Sequence, residues 1–172
     1  MKPSISIQNI NNCSATEFIN TLGSIFEHSP WVAELACAGR PFDSVDSLLV
    51  KMKSLVNAAS HHQRHTLICN HPELAGQEAQ QDTLTTESKN EQAAAGLNNC
   101  SREELQKLRS LNKQYREKFG FPFVIAVKNL SRQDILDAMQ TRLQNTKEIE
   151  FDSCIQQIGK IAEFRLKQLI EN

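Results

Sequence analysis

A chain of 172 residues with six glycines and five prolines has few places to stop a helix or turn a hairpin. These two residues together make up about half their usual share. An all-β sandwich needs a turn signal about every 8–12 residues and has too few breakers here. The length suffices for one domain with a sizeable core, because folding hides roughly two-thirds of such a chain's surface from water. The expectation is an all-α fold, a single compact domain over residues 1–172 with about seven to nine helices.

Helix starts are marked along the chain. Ser14-Ala-Thr-Glu17 and Ser101-Arg-Glu-Glu104 read as capping boxes, in which a serine hydroxyl and a later glutamate satisfy the first amides of a helix. The first opens a helix carrying Phe18, Leu22, Ile25 and Phe26 up to Ser29-Pro30, and Trp31 to Ala38 forms a short second one. Asp43 or Ser44 caps a third, with Leu48, Leu49, Met52 and Val56 on one face. A fourth, from about His61 to Cys69, breaks at Asn70-His71-Pro72, because the residue before proline is pushed out of the helical region. Residues 73–86 read as a loop, followed by a helix from about Ser88 to Leu97. The long helix opened by Ser101 turns Leu105, Leu108, Leu111, Asn112 and Tyr115 inward and ends at Gly120. Phe121 to Val127 is apolar with no pairing partner and reads as a buried extended segment. Helices from Ser131 to Leu143 and Lys147 to Ile170 complete the chain.

Nineteen basic against twenty acidic residues argue against a nucleic-acid binder or an anionic-membrane binder. No apolar run approaches the roughly 18 residues of a membrane helix. The start, Met1 to Asn12, has no apolar signal-peptide core. Five scattered cysteines without a Cys-x-x-Cys pair indicate neither a disulfide framework nor a thiolate zinc site, so a cytoplasmic location is expected.

Chemistry is sought where local rules break. Arg165 falls on the inward stripe of the last helix, among Phe151, Ile155, Ile158, Ala162 and Leu169. It is a snorkelling side chain, one half of a buried ion pair, or an anion clamp. Ser88-x-x-Glu91 is a third capping box, which by itself explains both residues, although a helix N-terminus is also a natural anion site. Glu91 and Gln92 directly precede the small-residue run Ala93–Gly96, which permits close approach. His61, His62 and His65 share a helix without a His-Glu-x-x-His signature or a placed carboxylate, and read as a solvated face rather than a metal site. The Ser101–Phe119 helix, with six Lys/Arg against three Glu, reads as a wet face.

Several blocks in order carry a resemblance to one family. They are Glu27-His-Ser-Pro-Trp31, His71-Pro-Glu-Leu-Ala75, Ser88-Lys-Asn-Glu-Gln92 running into Leu97, Leu111-Asn-Lys-Gln-Tyr115, Lys118 to Val127, Arg142-Leu, and Ile161-Ala-Glu-Phe-Arg165-Leu. The chain resembles the 2-oxo-4-hydroxy-4-carboxy-5-ureidoimidazoline (OHCU) decarboxylases of urate breakdown. The resemblance implies a cofactor-free, metal-free, all-helical homodimer, a carboxy-lyase that turns OHCU into (S)-allantoin and carbon dioxide. It implies His71 and Glu91 as catalytic residues. It implies substrate contacts from Pro72, Ser88, Gln92, Arg165 and the backbone of Phe123, Val124, Ile125, Ala126 and Val127. The absence of a fused transthyretin-like hydrolase domain leaves the preceding step to another protein, and the ending Leu-Ile-Glu-Asn is not a peroxisomal address. A non-catalytic helical interaction module on the same scaffold is the alternative, against which the joint presence of His71, Glu91, Gln92 and Arg165 counts.

Overall fold

The computed structural model describes residues 5–171. Met1–Ser4 and Asn172, on which part of the targeting expectation rests, lie outside the described residues. The described chain is overwhelmingly helical, as expected. The helices are α1 (Ile7–Asn12), α2 (Ala15–Leu22), α3 (Trp31–Cys37), α4 (Val45–Ala58), α5 (His61–Cys69), α6 (Gln77–Gln80), α7 (Thr86–Ala94), α8 (Arg102–Phe119), α9 (Arg132–Arg142) and α10 (Lys147–Leu169). Two short helices, α1 and α6, fall in segments expected to be irregular and raise the number to ten. Two strands of two residues, β1 (Ile5–Ser6) and β2 (Ile170–Glu171), pair in parallel. None of the described helices is long and apolar enough to cross a membrane.

The chain divides into two compact units. The first comprises residues up to Asn70 and from Gly159 onward, thus α1 to α5 and the C-terminal part of α10. Its core contains Phe18, Leu22, Val32, Leu48, Met52, Leu67, Ile68, Ala162 and Leu166. Serine hydroxyls cap α1, α2, α4 and α5, each accepting from the amide three residues on, a contact worth about 1 kcal/mol. Helix α2 ends at Leu22, well short of Ser29, and is capped by Gly23, whose amide donates to the Ile19 carbonyl. Ile25 and Phe26 remain buried in the turns that follow. The glycine was the stop signal, and a hydrophobic spacing that continued past it was not helical.

The second unit runs from His71 to Ile158. Its centre is an aromatic cluster in which Tyr115 lies 4.6 Å from Phe119, 6.1 Å from Phe121 and 5.3 Å from Phe123, ring centre to ring centre. Gly120 ends α8 with φ at +79°, a left-handed conformation that a residue lacking Cβ adopts cheaply. The chain then leaves in the expected extended conformation over residues 121–127, packed by Phe121, Phe123 and Val124. All six cationic residues of α8 are exposed, as a wet face requires.

Candidate active site

Helix α5 ends at Cys69 and the chain breaks at His71, as the His-Pro pair predicts. His71 is only 7% exposed. Behind it, Pro72 to Gly76 forms a tight turn in which the Gly76 amide donates to the Glu73 carbonyl, 3.2 Å. Ala75 sits at φ +49°. A non-glycine residue there costs about 1–2 kcal/mol and persists only when its surroundings hold it.

Two side chains do the holding. The Ala75 amide donates to Gln92 Oε1 at 3.0 Å, and Gln92 Nε2 donates to the Glu73 carbonyl at 3.4 Å. Asn112 Nδ2 of α8 donates to the Leu74 carbonyl at 3.0 Å. Gln92 and Asn112 are 6% and 4% exposed. On the outer side Arg116 pairs with Glu73 at 2.9 Å, but its side chain is 59% exposed, so the pair is worth little. The amide of Gln92, expected to contact substrate, is thus engaged by the backbone that carries the histidine.

Helix α7 corrects the capping assignment. It begins at Thr86, and Thr85 is the cap, its hydroxyl accepting from the Ser88 amide at 3.3 Å. The earlier of the two hydroxyls is the cap, so the helix begins three residues before the position that Ser88 as cap would give. Ser88 and Glu91 therefore lie inside the helix, and their side chains do not form the expected box. With Gln92 they sit at i, i+3 and i+4, one face of one helix. Since Gln92 bonds to the turn behind His71, that face is directed at the histidine segment.

The extended segment is held from three sides. Arg142 Nη1 donates to the Val124 carbonyl at 2.7 Å, and its guanidinium lies 4.3 Å over the Phe123 ring. Gln157 Oε1 accepts from the Ala126 amide at 3.0 Å, and the Val127 carbonyl accepts from Leu130. Backbone groups expected to be available to substrate are thus partly committed. Among the described residues none pairs with the backbone amide or carbonyl of half-buried Ile125. Arg142 is fixed in turn by Glu150, fully buried, whose Oε1 also accepts from Tyr115 and whose Oε2 accepts from Asn145 at 2.9 Å. Burial, reinforced by Cys154 and Glu150, pushes the Tyr115 phenol far up, so it stays a donor.

Arg165 belongs to the first unit, the other candidate residues to the second. It is 5% exposed and its Nη1 donates to Glu27 Oε2 at 2.8 Å and to the Ser24 carbonyl at 3.3 Å. Of the readings left open by spacing, the buried ion pair is the one observed. His61 and His62 are exposed, and among the described residues no group of three metal-binding side chains forms. Asn112, Glu150 and Gln157 were missed as site-building residues. Asn112 carried the same signal as Arg165, a polar residue on an apolar stripe. Glu150 and Gln157 carried none: Tyr115 lies 35 residues from Glu150 and Ala126 lies 31 from Gln157.

The described residues thus bring a buried histidine, a turn held by Gln92 of α7, and the neighbouring Glu91 into one unit of a helical scaffold. The family model for OHCU decarboxylase matches residues 11–167. The chain is 42% identical over 163 residues to the uric acid degradation bifunctional protein of Bacillus sp. (strain TB-90), spanning 95% of this chain and 32% of that protein. It is 39% identical over 164 residues to the 2-oxo-4-hydroxy-4-carboxy-5-ureidoimidazoline decarboxylase of Haloferax volcanii, 95% of each chain. Among solved structures, (S)-allantoin synthase superposes with a TM-score of 0.79 at 30% identity, covering 97% of this chain and 55% of that one. A structure of OHCU decarboxylase in the presence of (S)-allantoin shares the fold, with a TM-score of 0.68 at 19% identity over 93% of this chain and all of that one. The chain belongs to the OHCU decarboxylase family.

Proposed function

We propose that the chain is the carboxy-lyase that converts OHCU to (S)-allantoin and carbon dioxide in urate degradation, with His71 and Glu91 as its acid and base. The observation that supports this assignment of residues is a buried His71 next to a turn held by Gln92, which directly follows Glu91 on α7. In the reaction the bond from the ring carbon to the carboxylate breaks, carbon dioxide leaves, and the electron pair passes into the ring. Glu91 accepts the proton of the 4-hydroxyl as it becomes a carbonyl, and His71 delivers a proton to the neighbouring ring carbon on one face. Imidazole suits this role because its ordinary pKa lies near working pH. No cofactor is required, because the ring itself takes up the electron pair.

Ser88 and the unpaired backbone groups of half-buried Ile125 are the groups best placed to pair with ring and ureido N–H and C=O groups. Pro72, Phe123, Val124, Ala126 and Val127 complete the contact surface. Arg165 is proposed as a further substrate contact on the resemblance alone, and within the first unit its guanidinium is paired with buried Glu27. A homodimer in the cytoplasm, a single domain over residues 1–172 and no nucleic-acid partner belong to the same reading. The unbroken family match over residues 11–167 supports the single domain, and a net charge of −1 fits the last point. The test is a pair of variants, His71→Ala and Glu91→Gln. Each keeps wild-type helicity and melting behaviour and loses stereoselective allantoin formation; retained activity in either removes that residue from the mechanism.

A further inference from the structure

We infer that Asn112 is a positioning residue for His71, acting through the turn at Leu74. The inference rests on the proposed role of His71 as proton donor. Asn112 lies on the buried face of α8 between Leu111 and Tyr115, where an apolar side chain is the cheaper choice. Its Nδ2 donates to the Leu74 carbonyl at 3.0 Å, whereas no protein donor reaches its buried Oδ1. A buried amide satisfied on one side only is a cost to stability. It is a cost that fits a site where geometry matters more than stability.

The geometry at stake is that of a strained turn. Glu73, Leu74 and Ala75 each have one backbone group held by a buried side-chain amide, from Gln92 or Asn112. Ala75 adopts φ +49°, a conformation the turn would leave if released. Gly76 packs so closely that a Cβ there would lie 2.6 Å from that of Glu73. The three clamped groups start two residues after His71, with rigid Pro72 between. Loosening the Leu74 anchor therefore moves the imidazole. It leaves Ser88 and the Ile125 backbone in place, so the loss falls on turnover and stereochemistry rather than on binding. A displacement near 1 Å is enough to lower a rate by about a hundredfold.

The experiment compares Asn112→Leu with Arg116→Ala, which removes only the exposed ion pair to the same turn. For folded Asn112→Leu we expect kcat to fall about ten- to hundredfold, with KM changed less than about threefold. We also expect a reduced excess of (S)-allantoin and shifted ¹⁵N resonances of the His71 ring. Arg116→Ala should match wild type in all four. Unchanged His71 resonances together with unchanged kcat and enantiomeric excess in Asn112→Leu would overturn the inference. Asn112→Ser, smaller and polar, is read by the same criteria if the leucine variant does not fold. The resonance shift needs no turnover, so an inactive wild type would refute the proposed reaction while the link from Asn112 to His71 is still decided.

Discussion

Replacing Glu150 by leucine should destabilise the protein more than any single change on its surface. Its carboxylate is fully buried and accepts from Arg142 Nε at 2.6 Å, from Tyr115 at 2.5 Å and from Asn145 at 2.9 Å. Glu150→Leu strands the guanidinium of Arg142, whose side chain is 13% exposed, at a cost of about 3–5 kcal/mol. Tyr115→Phe removes one donor from a charged acceptor that keeps the others, at a cost of about 1.5–3 kcal/mol. Removing both charges in Glu150→Leu/Arg142→Leu should recover part of the loss. What remains is the unsatisfied Val124 carbonyl and the loss of the carboxylate from Tyr115 and Asn145, about 1–3 kcal/mol for each buried group left unpaired. Urea unfolding of wild type, Glu150→Leu, Arg142→Leu and the double variant closes a double-mutant cycle in which the double variant is more stable than Glu150→Leu. Activity should not follow, because Val124 has lost its anchor and the extended segment its register. Additive losses, or a Glu150→Leu cost below about 1 kcal/mol, would refute the account of this network.

Gly76→Ala brings a Cβ to 2.6 Å from that of Glu73 and must open the turn. It should lower both melting temperature and kcat, measured by calorimetry and turnover. The capping carboxylates of Glu17, Glu104 and Asp134 are held below their ordinary 4.5, 4.5 and 3.8, chiefly by hydrogen bonds from the capping serines. A depressed acid contributes stability above its unfolded pKa and loses it on protonation. Thermal stability should therefore decline as pH falls below 4.5, and less steeply in Ser14→Ala/Ser101→Ala/Ser131→Ala. Burial pushes the Cys154 thiol up, whereas Cys69 is exposed. A native-state thiol titration at pH 8 should modify Cys69 readily and Cys154 only on unfolding.

Helix starts were the most legible feature, since Ser14 and Ser101 carry their whole signal within four residues and both cap as expected. Where two caps competed, at Thr85 and Ser88, pattern alone chose wrongly. Buried polar residues could be located by their place on an apolar stripe, as with Arg165, but their partners could not. Glu27 lies 138 residues from Arg165, and Leu74 lies 38 from Asn112. The division of labour between Gln92 and Ser88 on one helix face was equally invisible, because it depends on which of them meets the Ala75 amide. The resemblance is what singled out His71 and Glu91 for the proposed catalytic roles, where spacing left several candidates.

The central claim is stereoselective decarboxylation, and circular dichroism of the product tests it most directly. OHCU is generated in place from urate with urate oxidase and hydroxyisourate hydrolase, and the allantoin signal is followed with and without this protein. The account predicts rapid appearance of the (S)-allantoin signal, proportional to the amount of protein added and abolished in His71→Ala. Racemic allantoin, formed at the uncatalysed rate in the presence of folded protein, would contradict it.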